Sequence, residues 1–428
     1  MFILLGKVLL GVLGILFLVL FLTSLRFASL SNSRFSLIAF LSLVATRVGV
    51  FALVFLVLRI APESDVVGGY YPQAKSVIVG LFPYRDFTSS YAPFFPYICS
   101  YAIRLWDSPL AIVLLAIIFE CVAFPVWLWV LRHGIGEVQA RLATLLYLTS
   151  PLPIMNVAIA GQNQIWIAFF LGLSIYLLMR GKDVLSGVGL SLSLILVKFL
   201  PLIFAPPLFV AARKRFGWFA GFILLPIAVY AYLIYRLVDV LMPLRNESRD
   251  ATSGNIPFLL TAFGNPHTSP VSQIVVIVLG AVVLLSVLLF IVLTHKIDTS
   301  NVVYTLTLMS LVFMLVSKKA YTNYLTIFFF PLCGSVATIA RKPLLILFGL
   351  FAAIAVLEPS LWFRLLNAQD LTVIRTAAST GSPTQSQLVV FIVCELVLIG
   401  FYIWYALVAW HALSGSSKQL PSATFQTS

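Results

Sequence analysis

The 428-residue chain is 61% hydrophobic and only 10% charged, with a mean hydropathy of +1.07, whereas a soluble domain is roughly 45–50% apolar and about 25% charged. This excludes an ordinary soluble fold and predicts one transmembrane domain over residues 1–428. The net charge of +13 would suggest nucleic acid in a soluble protein, but here Lys and Arg cluster in short segments between apolar spans, so the excess reports topology and no nucleic-acid partner is expected.

Residues 2–22 are apolar apart from Lys7, which can snorkel to an interface, and no small-x-small cleavage pattern follows, so an uncleaved anchor is expected. A second span covers about 36–60. Next comes a polar interruption from Glu63 to Asp107, within an expected outer loop at 61–108. Spans follow at about 109–131, 139–158 and 163–179. The stretch from Val184 to Ala212 is interrupted by Lys198 and Pro201, with Pro206-Pro207 after them. Interior Pro removes a helix hydrogen bond and clashes with the preceding turn, so two short helices meeting at Lys198 are predicted. Further spans lie at about 217–236, 271–294, 301–317, 321–340, 343–357 and 387–412. The expected fold class is all-α: a polytopic transmembrane helical bundle of about 13 passes, with one broken helical pair and a large first outer loop.

Alternating the passes places Arg26/Arg34, Arg132/Arg141, Arg180/Lys182, Arg213-Lys214-Arg215, His295/Lys296, Arg341/Lys342 and Lys418 on one side, which the positive-inside rule makes cytoplasmic. The alternation closes only with the Lys198 segment folded as a hairpin. The N-terminus is then outside and the C-terminus inside. The loops at 61–108, 160–164, 237–270 and 358–386 fall outside, and a prokaryotic cytoplasmic membrane is expected rather than that of the endoplasmic reticulum. Lys75, Arg85, Arg104, Lys198, Arg245, Arg249, Lys318, Lys319, Arg364 and Arg375 sit against the charge rule. Lys198 and Lys318-Lys319 lie at membrane boundaries, where a cation needs a partner. A lipid-carrier phosphate would serve.

Asp65 opens the polar loop and can act as general base on an acceptor hydroxyl, ligate a divalent metal, or stand as a plain loop acid or helix cap. Glu63 is either its partner or an interface charge. Asp86 is a second catalytic candidate, or pairs with Arg85 to stiffen a turn. Tyr71 and Tyr91, among the tyrosines at 70, 71, 84, 91, 97 and 101, either contact sugar or form an interfacial belt. Gly161-Gln162-Asn163-Gln164 offers three carboxamides for sugar hydroxyls, of which a helix cap at Asn163 would account for one. Ser317 to Tyr324, with Lys318, Lys319 and Tyr321, is either a phosphate site or an inter-helix loop. Cys99, Cys121, Cys333 and Cys394 lie in apolar surroundings without metal spacing, and the four His residues form no HExxH, so no zinc site is assigned.

Taken in order, Asp65, Gly80 to Tyr84, Tyr91-Ala92-Pro93, Gly161-Gln162, and the Gly187 to Pro201 stretch with Lys198 resemble the polyprenyl-phosphate-sugar-dependent glycosyltransferases of the GT-C membrane architecture, especially their mannosyltransferase-like branches. The Ser317 to Tyr324 island is similar in type to a Lys-Tyr segment of enzymes that add the first mannose to glycolipid anchors. The resemblance covers roughly 60–340. It implies transfer of a hexose, such as mannose, from a polyprenyl-phosphate donor to a lipid or glycan acceptor at the outer membrane face. Asp65 would be the base, Lys198, Lys318 and Lys319 would hold phosphate, and Gln162, Asn163 and the loop tyrosines would contact sugar. The Asp-x-Asp of some branches is absent, because Val66-Val67 follow Asp65. No cofactor is therefore assigned, and a divalent metal stays open. A carrier flippase or other transporter is the alternative, since broken helices and intramembrane ions suit it equally, although no internal repeat relates the halves. A non-catalytic subunit of a membrane assembly is a third class.

Overall fold

The computed structural model describes residues 2–23, 30–63, 65–249, 253–263, 270–295, 297–339, 341–361 and 385–416. Arg26, Lys296, Arg364, Arg375 and Lys418 of the charge argument, and most of the loop at 358–386, lie outside the described residues.

The chain opens with α1 (Phe2–Thr23) and α2 (Asn32–Phe51), the latter running into a π-helical turn at Ala52–Val57. A second π-turn, Asp65–Tyr70, leads into α3 (Tyr71–Ile78), followed by α4 (Phe95–Leu105), α5 (Pro109–Ile135) and α6 (Glu137–Thr149). The short α7 (Pro151–Pro153) passes into a third π-turn, Ile154–Ile159, before α8 (Gln164–Met179) and α9 (Asp183–Leu196). A 3₁₀ turn, Leu200–Phe204, starts α10 (Ala205–Ala211), and α11 (Arg215–Tyr235), α12 (Met242–Arg249), α13 (Ile256–Phe263) and α14 (Pro270–Thr294) follow. After α15 (Val302–Val316), a 3₁₀ turn at Thr322–Tyr324 enters α16 (Leu325–Ala337), and α17 (Lys342–Ser360) and α18 (Gln385–Ser416) complete the bundle. Among the described residues the only β pairing is an isolated bridge between Pro83 and Phe87.

The helical class stands, and helix length with composition supports part of the expected span count. Six described helices are long and apolar enough to cross a membrane, or seven if α6 and Pro151–Ile159, bent by 48°, form one span. Several of the others are short, α8, α9, α15 and α16 having 16, 14, 15 and 13 residues. At about 1.5 Å per residue, helices as short as α9, α15 and α16 fall well below a hydrocarbon core of about 30 Å. Their position explains why this is tolerated, since every residue of α16 and most of α8 and α15 are buried by neighbouring helices rather than facing lipid.

The stretch broken at Lys198 folds back on itself. The backbone N–H of Lys214 donates to Asp183 Oδ2 at 3.0 Å, so its two ends lie together. Helices α9 and α11 then run side by side in the same direction, Trp218 Nε1 donating to Ser186 Oγ at 3.0 Å and Tyr230 Oη to Leu194 O at 3.3 Å. Glycines permit this approach. A Cβ on Gly187 would stand 2.1 Å from Trp218 O, and one on Gly221 would stand 2.1 Å from Val184 O.

Deep in the bundle, α2, α5 and α6 are joined by an ion pair with no solvent exposure. Arg47 Nε and Nη2 each donate to Glu120 at 2.9 Å, and Tyr147 Oη donates to Glu120 Oε1 at 2.8 Å.

Candidate active site

Functional side chains converge where the π-turns, the Lys198 break and the ends of α15, α16 and α17 meet. The N–H groups of Val66 and Val67 donate to Glu63 O at 3.1 and 3.2 Å, winding the turn that begins at Asp65. Opposite it, the chain leaves the turn Ile154–Ile159 through Gly161, whose φ is +59°. A Cβ there would sit 3.0 Å from Val113 Cγ2 and 3.1 Å from Val66 Cγ2. Glycine thus meets both a left-handed backbone and a tight packing demand. The consequence is the placement of Gln162.

The Gln162 side chain links three distant segments. Its Nε2 donates to Asp65 Oδ2 at 3.0 Å, while its Oε1 accepts from Asn323 Nδ2 at 3.2 Å and from Tyr70 Oη at 3.4 Å. A similar junction sets Lys198. The N–H groups of Ala92 and Phe94 donate to Val197 O and Ile195 O at 3.0 and 3.1 Å, docking the Tyr91-Ala92-Pro93 segment onto the helix break. Lys198 Nζ then lies 3.4 Å from Tyr324 Oη and 5.4 and 5.5 Å from the ring centres of Tyr91 and Tyr324. Lys319 Nζ stands 5.7 Å from the ring centre of Tyr321. Such aromatic faces attract a cation.

These groups line one cavity of about 340 Å³. Of the residues expected from the sequence, it brings together Glu63, Asp65, Tyr91, Gln162, Asn163, Lys198, Lys319 and Tyr321. Between its carboxylates and its ammonium groups lie amides with unused hydrogen-bonding capacity. Asn163 is 1% exposed, and among the described residues neither its Nδ2 nor its Oδ1 has a hydrogen-bond partner; Gln164 Oε1 and Asn323 Oδ1 are likewise buried and unpaired among them. Leaving such a group unsatisfied costs about 1–3 kcal/mol. Hydroxyl groups of a bound ligand would satisfy them.

Four expected residues lie outside this lining. Asp86, expected either as a second catalytic acid or as a partner of Arg85 that stiffens a turn, clamps a turn: it bonds Arg85 Nη2 at 2.8 Å and accepts from the Phe82 N–H at 2.7 Å. Its carboxyl is lowered to about 2, by the Arg85 hydrogen bond first and the Phe82 N–H second. Arg85 is thereby committed to the same turn. Tyr71 Oη donates to Asp107 Oδ1 at 2.7 Å, beside a Lys75–Asp107 ion pair at 2.6 Å, and its phenol is raised chiefly by that hydrogen bond. Lys318 does not line the cavity that its neighbour Lys319 does.

Gln164, from the expected run of amides, and Asn323 and Tyr324, from the expected Ser317 to Tyr324 island, also line it, as do Lys7 and Asn156, which sequence reasoning did not single out as site residues. A signal existed for both of the latter. Lys7 is the lone cation of a long apolar segment and is buried, at 8% exposure. Asn156 is the only polar residue of Ile154–Ile159, and its Nδ2 donates to Thr326 Oγ1 at 2.9 Å. Glu63 and Asp65 are the acids of the cavity, and no group of three or more His, Cys, Asp or Glu residues suited to a metal occurs among the described residues.

Residues 87–318, more than half of the chain, match the family model described as glycosyltransferase family 87. No curated protein matches the chain.

Proposed function

The chain belongs to glycosyltransferase family 87, and from that premise we propose that its cavity transfers a hexose, mannose being the expected sugar, from a polyprenyl-phosphate carrier to a lipid or glycan acceptor at the extracytoplasmic face. The observation that carries this reading is one cavity lined by Asp65, by Lys198 and Lys319, and by the unpaired amides of Asn163 and Gln164. In the reaction, the acceptor oxygen bonds to the anomeric carbon as the bond from that carbon to the carrier phosphate oxygen breaks. Asp65 takes the acceptor proton. Negative charge grows on the departing polyprenyl phosphate, where Lys198 and Lys319 are positioned to stabilise it. Gln162 donates to Asp65 Oδ2, orienting the carboxylate with Oδ1 turned to the acceptor. Glu63 helps orient the acceptor, and Asn163, Gln164, Tyr91 and Tyr321 contact the sugar. Tyr71, Arg85 and Asp86 shape the loop around the site.

Donor affinity tests the phosphate assignment. With a non-hydrolysable polyprenyl-phosphonate mannose, Lys198→Met is expected to weaken binding by about 1.5–3 kcal/mol, the worth of a hydrogen bond to a charged group, while its unbranched apolar stem is kept. Lys198→Arg keeps charge but alters geometry, so it should retain part of the affinity. Equal affinity in all three proteins would remove Lys198 from the phosphate site. Turnover of radiolabelled polyprenyl-phosphate mannose by the purified full chain tests the reaction, and carrier translocation without a new glycosidic bond would replace it with transport.

The accompanying topology has about thirteen passes, counting the legs of the Lys198 hairpin separately and placing the N-terminus outside. A single Cys at position 214, on a Cys-free background in intact cells, should resist an impermeant thiol reagent, whereas a Cys at 75 should react. Labelling at 214 would invert the arrangement.

A further inference from the structure

A second cavity, of about 710 Å³, opens at the end of the bundle remote from the candidate active site, among α5, α6, α15, α16, α17 and α18. Helix direction establishes the distance. Tyr304 of its wall lies more than three turns of α15 from Val316, roughly 18 Å along the axis, and the active-site loop follows Val316. Its lining includes the polar and basic residues Arg341, His411 and Gln139. Neither Arg341 nor His411 makes a side-chain hydrogen bond or ion pair among the described residues, and both are exposed. No carboxylate lines the cavity. Acids at this end are engaged elsewhere: Glu137 is paired with Arg132 at 2.9 Å and with Arg141 at 2.8 Å, and Asp298 accepts from Ser300.

Apolar residues complete the lining, Trp404 and Leu407 of α18 lying one to two turns from His411 along the helix. Leu344 is among them, and on α18 Trp404 and Leu407 are 44% and 59% exposed. A cationic rim at a helix end, above an apolar wall continuing along a membrane-crossing helix, matches the two halves of a charged lipid. Inorganic phosphate would use the rim alone. We propose that this cavity binds an anionic glycerophospholipid, its phosphate on Arg341 with His411 and Gln139 beside it, and its acyl chains against Leu344, Trp404 and Leu407.

The test uses the purified full chain, exchanged in mixed micelles against phosphatidylglycerol or phosphatidylcholine of identical acyl chains, with retained lipid counted by native mass spectrometry. Wild type should retain phosphatidylglycerol over phosphatidylcholine by about tenfold or more, the scale of a charge-assisted contact. Arg341→Gln should bring the two close to parity, and Arg341→Lys should keep part of the preference. Arg341 is an exposed residue preceding α17, so Arg341→Gln should melt at the wild-type temperature. Equal retention of both lipids by wild type, or an undiminished preference in Arg341→Gln, would overturn the assignment. Displacement of the lipid by millimolar inorganic phosphate would also overturn it, as that result identifies a free-anion site.

Discussion

Asp65→Asn is expected to lose about 100- to 10,000-fold in turnover, the usual contribution of a positioned general base, with little change in donor affinity or thermal stability. The substitution is nearly isosteric. Its amide oxygen can still accept the hydrogen bond that Gln162 Nε2 gives to Asp65 Oδ2 at 3.0 Å, so the junction of the three segments survives. What disappears is a group able to take the acceptor proton. Donor affinity, measured with the same phosphonate used for Lys198, separates a chemical defect from a misplaced cavity. Glu63→Gln should lose less, because Glu63 is assigned an orienting role. Asp86→Asn should lose least, since its carboxylate is occupied by Arg85 and the Phe82 N–H outside the cavity. Near-normal turnover in Asp65→Asn would transfer the base role to Glu63, the other acid of the cavity.

Arg47→Met is expected to destabilise the protein by about 3–5 kcal/mol, because removing one partner of a buried ion pair strands the other charge. Neither side chain has any exposure through which water could compensate. Among the described residues Glu120 would retain only the Tyr147 hydroxyl, at 2.8 Å. Glu120→Gln should be milder, since its amide oxygen can accept from both Arg47 and Tyr147, although Arg47 is then left without a counter-charge. The double change Arg47→Met with Glu120→Leu should recover much of the loss, as apolar replacement of a whole buried pair is often neutral or stabilising. Recovery should be incomplete. The Tyr147 hydroxyl would be left without its acceptor, at about 1–3 kcal/mol for a buried donor. Thermal melting in mild detergent reads all three variants, and an Arg47→Met protein melting with wild type would refute a structural role for the pair.

Several elements of the site were legible in the sequence because they are local departures from an apolar background. Asp65, the Gly161 to Gln164 amides, Lys198 and the Ser317 to Tyr324 island each stand out within a few residues. The three last segments and Asp65 do line one cavity. Local contrast did not distinguish the two aspartates of the first loop. Asp65 and Asp86 differ by what surrounds them: Gln162, from beyond α6, meets one, while Arg85, the adjacent residue, binds the other. Lys7 shows the same limitation. A lone lysine in a long apolar helix has the same sequence signature whether it snorkels to water or lines a cavity, and the residues that share its cavity, from Asp65 to Tyr324, lie tens to hundreds of residues later.

Composition and periodic apolar runs by themselves determine that this chain is a helical membrane protein, because hydropathy sums over residues and a bilayer requires backbone groups to be satisfied within helices. Pro201 also marks the break near Lys198, although Pro125 and Pro226 lie inside the continuous helices α5 and α11, so proline points to a break without fixing one. Only the tertiary structure decided which apolar helices are long enough to face lipid and which are short pieces buried within the bundle, as with α16. Only packing also joined Arg47 to Glu120, and Gln162 to both Asp65 and Asn323. The reason is physical: a buried polar group is selected by the partner it meets in space, and that partner leaves no mark at any fixed sequence distance.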